Sequence, residues 1–277
     1  MHSAAGKRRP LVSVVAPSYN HGRYLGACLD SIMFQDYPNL EIIIVEDAST
    51  DMSDEVVRNF LRDVAMEQTS YAGRYDEDRG EIERVFHPRY PQSGRSVVYL
   101  KNERNAGSTA SYNRGFKAAR GEFCTFVATD DLLHPQCISA LVECLEKTPA
   151  DFAFADMFII DDHNRILREF KLPEYSFKAC FEDWYLCGVA TLYRRELHEK
   201  FGWYDESAGA DDHECYLRFA KGGARFVHVP KTLYSVRTHA QRQTGLHEPT
   251  RFEALLQHSC ELTLQAREFA RIGAAIP

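Results

Sequence analysis

The chain has 277 residues, of which 44% are hydrophobic and 26% are charged, a composition typical of a globular protein with a sizeable core. Its formal net charge of −7 argues against nucleic acid as the main partner, because phosphate backbones are bound by an excess of lysine and arginine. No apolar run is long enough to cross a bilayer, and MHSAAGKRRP at the N-terminus leads into no signal-peptide core. The sequence therefore predicts a cytoplasmic protein without a membrane span.

The first 150 residues alternate between two hydrophobic patterns. Three runs rich in β-branched residues, LVSVVAPSYN (11–20), LEIIIVEDAST (40–50) and SVVYL (96–100), predict buried strands. Helices are predicted for two segments, GRYLGACLDSIMFQ, with an apolar stripe at helical spacing, and GSTASYNRGFKAA (107–119). One more strand is predicted for EFCTFVATDD. This alternation predicts an α/β fold with a mostly parallel sheet.

The pattern changes in two later regions. Residues 66–95 are polar, charged and rich in turn formers, which indicates an inserted excursion or a mobile loop. Beyond residue 150, DFAFADMFIID predicts a strand, ARFVHVPKTLYSVRTH a closing strand or hairpin, and 249–272 a terminal amphipathic helix. The eight cysteines show no C-x-x-C pair and no regular spacing, which favours reduced thiols over disulfides or a zinc site.

Polar side chains follow three of the predicted strands where each strand ends. The segments are PSYN (17–20), EDAS (46–49) and TDD (129–131). Ligands of open α/β sheets bind beyond the carboxyl ends of the strands, so we expect a binding site at this edge. The adjacent carboxylates Asp130 and Asp131 would raise each other's pKa unless a positive group lay beside them. The sequence therefore predicts a positively charged group at this point, whose nature these residues alone leave open.

Seven motifs in order carry a family resemblance: SVVAPSYN, SIMFQDYPNLEIIIVEDAST, NAGSTASYNRGFKAARGEF, ATDD, GWYDE, ADDHECYLR and YSVRTH. Between about Leu11 and about His239, apart from 66–95, the chain resembles glycosyltransferase family 2. Each motif is weak alone, and the shared order makes the resemblance specific. It implies a GT-A fold, which is a Rossmann-like, mostly parallel sheet flanked by helices, with a smaller acceptor-side subdomain and a C-terminal helix.

The resemblance also implies an activity. The family's enzymes are inverting transferases that move a sugar from a nucleotide diphosphate donor to a hydroxyl acceptor. We expect a UDP-sugar as the donor and a glycan or lipid-linked glycan as the acceptor, in glycan or polysaccharide assembly. A lipid-linked acceptor would bring the protein to the inner face of a membrane as a peripheral protein. The sequence leaves the sugar, the linkage and the oligomeric state open.

The expected organisation follows from the resemblance. Residues 11–240 would form the GT-A domain, with a nucleotide-sugar-binding half at 11–150 and an acceptor-side half at 151–240. The 66–95 segment would be an insertion in the first half. Residues 241–277 would form a helical tail.

The resemblance places a divalent cation between the donor phosphates. Asp131 and His239 are the expected metal ligands, and Asp130 would lie beside the ribose or the sugar of the donor. Carboxylate and phosphate oxygens suit Mn²⁺ or Mg²⁺, and the imidazole favours manganese.

The resemblance places the nucleobase at the ends of the first two strands. Asp47 would accept the N3–H of uracil, and Tyr19 would stack on the ring. The full set of expected donor contacts is Pro17, Ser18, Tyr19, Asp47, Asn113 and Asp130. From the residues alone, Asp47 serves equally well as a helix cap in ASTDMSDE, and Tyr19 as a core residue.

Asp212 is the expected general base. It matches the second acid of the family's late carboxylate pair, and Arg218 follows it at the family's spacing of six. A carboxylate at this place would take the proton of the acceptor hydroxyl as the oxygen attacks the anomeric carbon. The alternative for Asp211 or Asp212 is an N-cap on the helix HECYLRFA.

Some positions depart from the family pattern. Tyr112 stands where an arginine often precedes Asn113, so a contact to the diphosphate is either missing or supplied by Arg114 or Arg23. Asp211 replaces the commoner glutamate. EDWYLCG supplies Trp184 and Tyr185, whose rings could stack on a sugar, although buried packing is expected for at least one of them.

Two other classes of protein use a similar ligand or a similar sheet. A sugar-nucleotide pyrophosphorylase would need a glycine-rich loop after the first strand, and APSYNHGRY does not supply one. A catalytically silent sugar-nucleotide-binding protein would not need the base together with the other site residues, and all four are present: Asp47, Asp131, Asp212 and His239.

Overall fold

The computed structural model describes residues 9–66, 70–207, 211–239 and 249–273. The strands are β1 (Val12–Ser18), β2 (Leu40–Glu46), β3 (Ser70–Asp76), β4 (Glu81–His87), β5 (Arg95–Lys101), β6 (Phe123–Phe126), β7 (Leu132–Leu133), β8 (Phe152–Ile160), β9 (Ile166–Phe170), β10 (Leu192–Arg194) and β11 (Phe226–Arg237). The helices are α1 (Gly22–Met33), α2 (Ser53–Ala65), α3 (Ser108–Ala118), α4 (Cys137–Lys147), α5 (Glu196–Phe201), α6 (Asp211–Lys221) and α7 (Pro249–Arg271). A π-helical turn spans Lys178–Asp183.

Most of the strands form one curled sheet in the order β5-β2-β1-β6-β10-β8-β11-β7, with β9 beside β8. The pairs β5–β2, β2–β1, β1–β6 and β8–β11 are parallel, whereas β10, β7 and β9 run antiparallel to their neighbours. The predicted mostly parallel sheet is confirmed. Because Ser18 pairs with Glu46 in register, β1 and β2 end at the same edge of the sheet.

Helices cover both faces of the sheet. The apolar stripes of α1 and α4 pack on one face, for example through Leu29 and Leu141, and α3 and α6 pack on the other through Phe116 and Phe219. Strands β1 and β2 are buried on both faces, which explains their continuous apolar sequence. All eight cysteines are free thiols, as the sequence predicts.

The polar segment 66–95 contains a β-hairpin, so of the two predicted alternatives the mobile loop is wrong, and the inserted excursion stays a prediction. Strands β3 and β4 form a separate two-stranded antiparallel sheet. Its turn ends at Gly80, whose φ of 67° favours glycine. The cross-strand pair Arg74–Glu83 (2.9 Å) lies on one face. Because most of β4 is exposed, the hairpin has no buried face to impose an alternating hydrophobic pattern.

Two short strands, one before and one after residue 150, are elements that the sequence did not reveal. Strand β10 has three residues and β7 has two, and runs this short carry no measurable periodicity. The predicted terminal helix is present as α7, which packs on the π-helical turn and α6. Phe269 contacts Phe177 with ring centroids 5.8 Å apart. Within the part of the chain that the structure describes, none of the helices has the length and apolar composition needed to cross a membrane.

Candidate active site

A cavity of about 1010 Å³ opens at the carboxyl ends of β1, β2 and β6. It is also bordered by the start of α6 and by residues of α7, which lie far away in the sequence. The lining includes seven of the predicted site residues: Pro17, Ser18, Tyr19, Asp47, Asp130, Asp131 and Asp212. The structure thus brings the expected donor and acceptor groups to one place.

The loops after β1 and β2 are held together by polar contacts and have unusual backbone conformations. Asn20 and Ala48, directly after the two strands, both have φ of 55°, a left-handed conformation that is uncommon without glycine. The Asn20 N–H donates to Ser49 Oγ (3.0 Å), and Thr50 N–H donates to Asn20 Oδ1 (2.8 Å). Such strained residues are often found at binding sites, where the surrounding contacts hold them.

Asp47 anchors the loop that follows β5. Its buried carboxylate accepts hydrogen bonds from Asn102 Nδ2 (2.6 Å), Ala106 N–H (2.8 Å) and Gly107 N–H (3.0 Å). The carboxylate that bonds to the start of α2 is that of Asp51, which accepts from the Ser53 N–H (2.9 Å). Asp47 therefore holds the rim of the cavity rather than a helix.

The other residues that were predicted to contact the donor nucleotide differ in their surroundings. Tyr19 is 42% exposed at the cavity, so it is not a core residue. Ser18 Oγ is buried and has no hydrogen-bond partner among the described residues, which leaves a polar group for a ligand. Asn113 is directed elsewhere: its amide pairs with the backbone of Tyr204 (2.9 and 3.0 Å) and with Glu206 (3.0 Å). It ties α3 to the GWYDE segment, and the prediction that it contacts the donor is not supported.

The adjacent carboxylates Asp130 and Asp131 have different partners. Asp131 accepts hydrogen bonds from the Arg237 N–H (2.8 Å) and the Tyr234 hydroxyl (3.2 Å), which bind it to β11. His239 Nε2 lies 2.9 Å from Asp130 Oδ2. The structure therefore brings His239 to Asp130. The prediction that Asp131 and His239 bind a metal together stays a prediction.

A buried arginine lies beside this pair. The Arg237 side chain is 2% exposed and donates to the carbonyl oxygens of Asp130 (2.8 Å) and Asp161 (2.9 Å). Its charge offsets part of the repulsion between the adjacent carboxylates. Sequence reasoning missed this role, although Arg237 belongs to the same YSVRTH motif as His239.

Asp130 and His239 carry the oxygen and nitrogen donor atoms that divalent cations use, so these two side chains are the ones that could hold such an ion. Asp130 Oδ2 and His239 Nε2 lie 2.9 Å apart, which is the distance of an ordinary hydrogen bond. No cluster of three or more His, Cys, Asp or Glu side chains suited to a metal occurs in the described part of the chain.

The second acidic pair begins α6. Asp211 accepts hydrogen bonds from the Thr109 hydroxyl (2.7 Å) and the Asp212 N–H (2.9 Å). Asp212 Oδ1 accepts the His213 N–H (2.8 Å), so both carboxylates cap the helix while facing the cavity. Burial and the nearby charge of Asp211 raise the pKa of the Asp212 carboxyl above its ordinary value. A carboxylate with a raised pKa is a stronger base than an exposed aspartate.

The three arginines that the sequence motifs single out lie away from the cavity. Arg218 bonds to Glu214 (2.8 Å) and to the Trp203 carbonyl (2.9 Å), joining α6 to GWYDE rather than contacting Asp212. Arg114 bonds to Asn102, and Arg23 is 3.8 Å from Asp162. None of the three is among the described residues that line the cavity.

The sequence model of Glycosyl transferase family 2 matches residues 13–70 and 76–202. The chain belongs to glycosyltransferase family 2. Membership establishes it as a glycosyltransferase and sets aside the pyrophosphorylase alternative. The match includes 76–95, so the segment that departs from the family is shorter than predicted. The family match ends at residue 202, before Asp212 and His239, so it does not bear on the roles of these two residues.

Curated relatives are also named as glycosyltransferases. The chain is 26% identical over 259 residues to glycosyltransferase GlyG of Streptococcus pneumoniae serotype 4, a match that covers 88% of this chain and 74% of GlyG.

Solved structures of two proteins share the fold. S. aureus TarS 1-349, in complex with UDP, superposes with a TM-score of 0.63 at 18% identity, over 90% of this chain and 64% of that chain. The mannosyltransferase PcManGT from Pyrobaculum calidifontis, in complex with GDP-Man and Mn²⁺, superposes with a TM-score of 0.58 at 17% identity. The match covers 98% of this chain and 78% of PcManGT. The predicted GT-A fold of this family 2 member is confirmed. The chain spans less than two thirds of the TarS chain.

Proposed function

We propose that this glycosyltransferase moves a sugar from a UDP-sugar to a hydroxyl group of a glycan acceptor, with inversion and with the help of a divalent cation. The observation that carries the proposal is the shared cavity, which is lined by Asp47, Asp130 and Asp212. These residues supply a nucleobase acceptor, a metal ligand and a base in one site. The complexes of TarS with UDP and with UDP-GlcNAc support the choice of donor.

We assign the metal to Asp130 and His239, in place of Asp131 and His239. The 2.9 Å separation of Asp130 Oδ2 and His239 Nε2 supports this choice. Asp131 would hold β11 in place, because its carboxylate accepts from Tyr234 and from the Arg237 N–H. Mn²⁺ or Mg²⁺, when bound, would neutralise the diphosphate and stabilise it as a leaving group.

The transfer would be a single displacement. The acceptor oxygen forms a bond to the anomeric carbon, while the bond from that carbon to the diphosphate oxygen breaks and its electron pair leaves with the diphosphate. The acceptor hydroxyl proton passes to the carboxylate of Asp212. Asp211 stays hydrogen-bonded to Thr109 and, through its charge, keeps Asp212 basic.

Asp47 still has capacity for a nucleobase. An ionised carboxylate offers about four lone-pair positions. Three are used by the loop after β5, and only one of these three bonds goes to Oδ2. Oδ2 can therefore accept the N3–H of uracil while the rim of the cavity stays in place.

Donor preference tests this assignment. We expect UDP to bind more tightly than GDP or ADP by calorimetry, and Asp47→Ala to shrink that preference by about one to two orders of magnitude, the equivalent of one charge-assisted hydrogen bond. Asp54→Ala is the matched control, because Asp54 bonds to Lys101 (2.7 Å) outside the cavity lining. Tighter binding of GDP or of a dTDP-sugar by the unmodified protein would show the donor assignment to be wrong.

The dependence of activity on pH tests the acidic pair. Because Asp212 must be ionised to act as a base, kcat/KM should fall as the pH drops through its raised pKa. Asp211→Asn removes the like charge that contributes to this rise, so the acid limb should move to lower pH. A pH profile of transfer for both proteins measures the displacement. If the acid limb of the kcat/KM profile is the same in both proteins, the charge of Asp211 does not affect the pKa of the base, and this part of the proposal is wrong.

A further inference from the structure

A phenol lies behind the proposed base. Tyr185 is in the loop between the π-helical turn and β10, and its hydroxyl is buried without a hydrogen-bond partner among the described residues. An unpaired buried hydroxyl is unfavourable, so a nearby acceptor is expected to bind it. Tyr185 is not among the described residues that line the cavity, whereas Asp212 is. The phenol therefore faces the protein side of Asp212.

Gly188 lets the phenol and the carboxylate approach each other. A Cβ atom at Gly188 would lie 2.8 Å from Tyr185 Oη and 3.0 Å from Asp212 Oδ2. The first distance is shorter than Cβ atoms keep and the second is tight, so a side chain at residue 188 would push the phenol or the carboxylate aside. Asp212 Oδ1 accepts the His213 N–H, which leaves Oδ2 as the oxygen beside the phenol.

The ring of Tyr185 is fixed by its neighbours. It stacks on His213 with centroids 4.3 Å apart and an interplanar angle of 10°. His213 Nδ1 lies 3.0 Å from the Ser259 hydroxyl of α7, which holds the imidazole in turn. Burial lowers the pKa of His213 to about 4, so the imidazole is neutral at neutral pH and brings no charge to Asp212. The held hydroxyl is close enough to Asp212 to act against the rise in the pKa of its carboxyl.

We propose that Tyr185 is a positioning residue whose hydroxyl donates a hydrogen bond to the ionised carboxylate of Asp212. This inference rests on the proposed function in taking Asp212 as the base. The bond would orient the carboxylate towards the acceptor and stabilise its charged form. Burial and the nearby Asp212 raise the pKa of Tyr185, so the phenol keeps the proton that it donates.

Other titratable groups also face Asp212, and they set the background for a pH experiment. They are Asp211, His213, Cys215 and Tyr216 of α6, Tyr112 of α3, Tyr185 and Cys187 of the loop before β10, and His258 of α7 across the cavity. Burial raises the pKa of each tyrosine and each cysteine in this set, so these groups stay neutral near pH 7.

The test is Tyr185→Phe, which keeps the stacked ring and removes only the hydroxyl. Losing a hydrogen bond to a charged group should raise the pKa of Asp212, so the acid limb of kcat/KM should move to higher pH by about 1–2 units. This direction is opposite to that expected for Asp211→Asn. Affinity for UDP should not change. Tyr204→Phe is the matched control, since it removes a buried hydroxyl that bonds to Tyr216 instead (3.0 Å).

A second readout does not depend on activity. Carboxyl ¹³C NMR would follow the titration of Asp212 directly, with its signal identified by its loss in Asp212→Asn. An unchanged Asp212 titration in Tyr185→Phe would overturn the inference. If the titration of Asp212 moves in Tyr185→Phe but Asp212→Asn is fully active, the hydrogen bond between Tyr185 and Asp212 is supported. The role of Asp212 as the base is then contradicted.

A second variant guards against a folding defect in Tyr185→Phe. His213→Asn leaves the phenol but removes the ring on which it stacks. We expect its acid limb to move in the same direction by a smaller amount, because the hydroxyl is less firmly held. A limb that stays in place in this variant would count against the inference.

Discussion

Replacing Asp212 with asparagine is expected to lower the rate of sugar transfer by about 10²–10⁴-fold, the contribution that general base catalysis typically makes. Asparagine keeps the size of the side chain and an oxygen for the His213 N–H, so the start of α6 should remain capped. It has no basic oxygen to take the acceptor proton. UDP affinity should barely change, because the base faces the acceptor rather than the nucleotide.

The same variant should be more stable than the unmodified protein at neutral pH. The pKa of Asp212 is raised in the folded state, so folding is disfavoured as the pH rises through that value and the carboxyl must ionise in place. Asparagine avoids this cost. The difference in thermal midpoint should shrink as the pH falls towards the ordinary pKa of aspartate, about 3.9. A loss of rate combined with a gain of stability identifies a group retained for chemistry.

Near-normal turnover of Asp212→Asn, with UDP binding intact, would leave only the helix-cap role and remove the base from the mechanism. Asp211→Asn serves as the comparison, and its loss of rate near neutral pH should be milder. Its carboxylate bonds to Thr109 and the Asp212 N–H, so its influence on the reaction passes through Asp212.

Removal of divalent cations with EDTA is expected to abolish transfer, and Mn²⁺ is expected to restore it. Without the cation, the diphosphate would face Asp130 and Asp131 with little compensation for their charge. Mn²⁺ binding in the presence of UDP can be measured by electron paramagnetic resonance. Asp130→Asn and His239→Ala should each weaken it by at least about 10–100-fold, since even outer-shell changes reach that size.

Asp131→Asn separates the two metal assignments. Its amide oxygen can still accept from the Arg237 N–H, so β11 should stay in place and Mn²⁺ affinity should be largely kept. If Asp131→Asn loses Mn²⁺ while Asp130→Asn retains it, the assignment made from the sequence is right and the revision is wrong. Full activity in EDTA would contradict both.

Much of the nucleotide-facing half could be predicted, because its signals are local. The continuous apolar runs of β1 and β2 follow from burial on both faces, and the polar residues after them mark the edge where ligands bind. The β3–β4 hairpin and the short strands β7 and β10 could not, since neither exposed strands nor strands of two or three residues carry a hydrophobic period.

The sequence by itself determined the α/β architecture, the family resemblance and the set of acidic residues near the carboxyl edge of the sheet. Only the tertiary structure decided which of these side chains meet. His239 reaches Asp130 across 109 residues because β7 and β11 pair, and Tyr185 comes behind Asp212 because Gly188 leaves room for it. Contacts of this kind depend on strand register and on single close approaches. Neighbouring acids such as Asp130 and Asp131 look alike in a motif, yet the fold brings one to His239 and the other to Tyr234 and the backbone of β11.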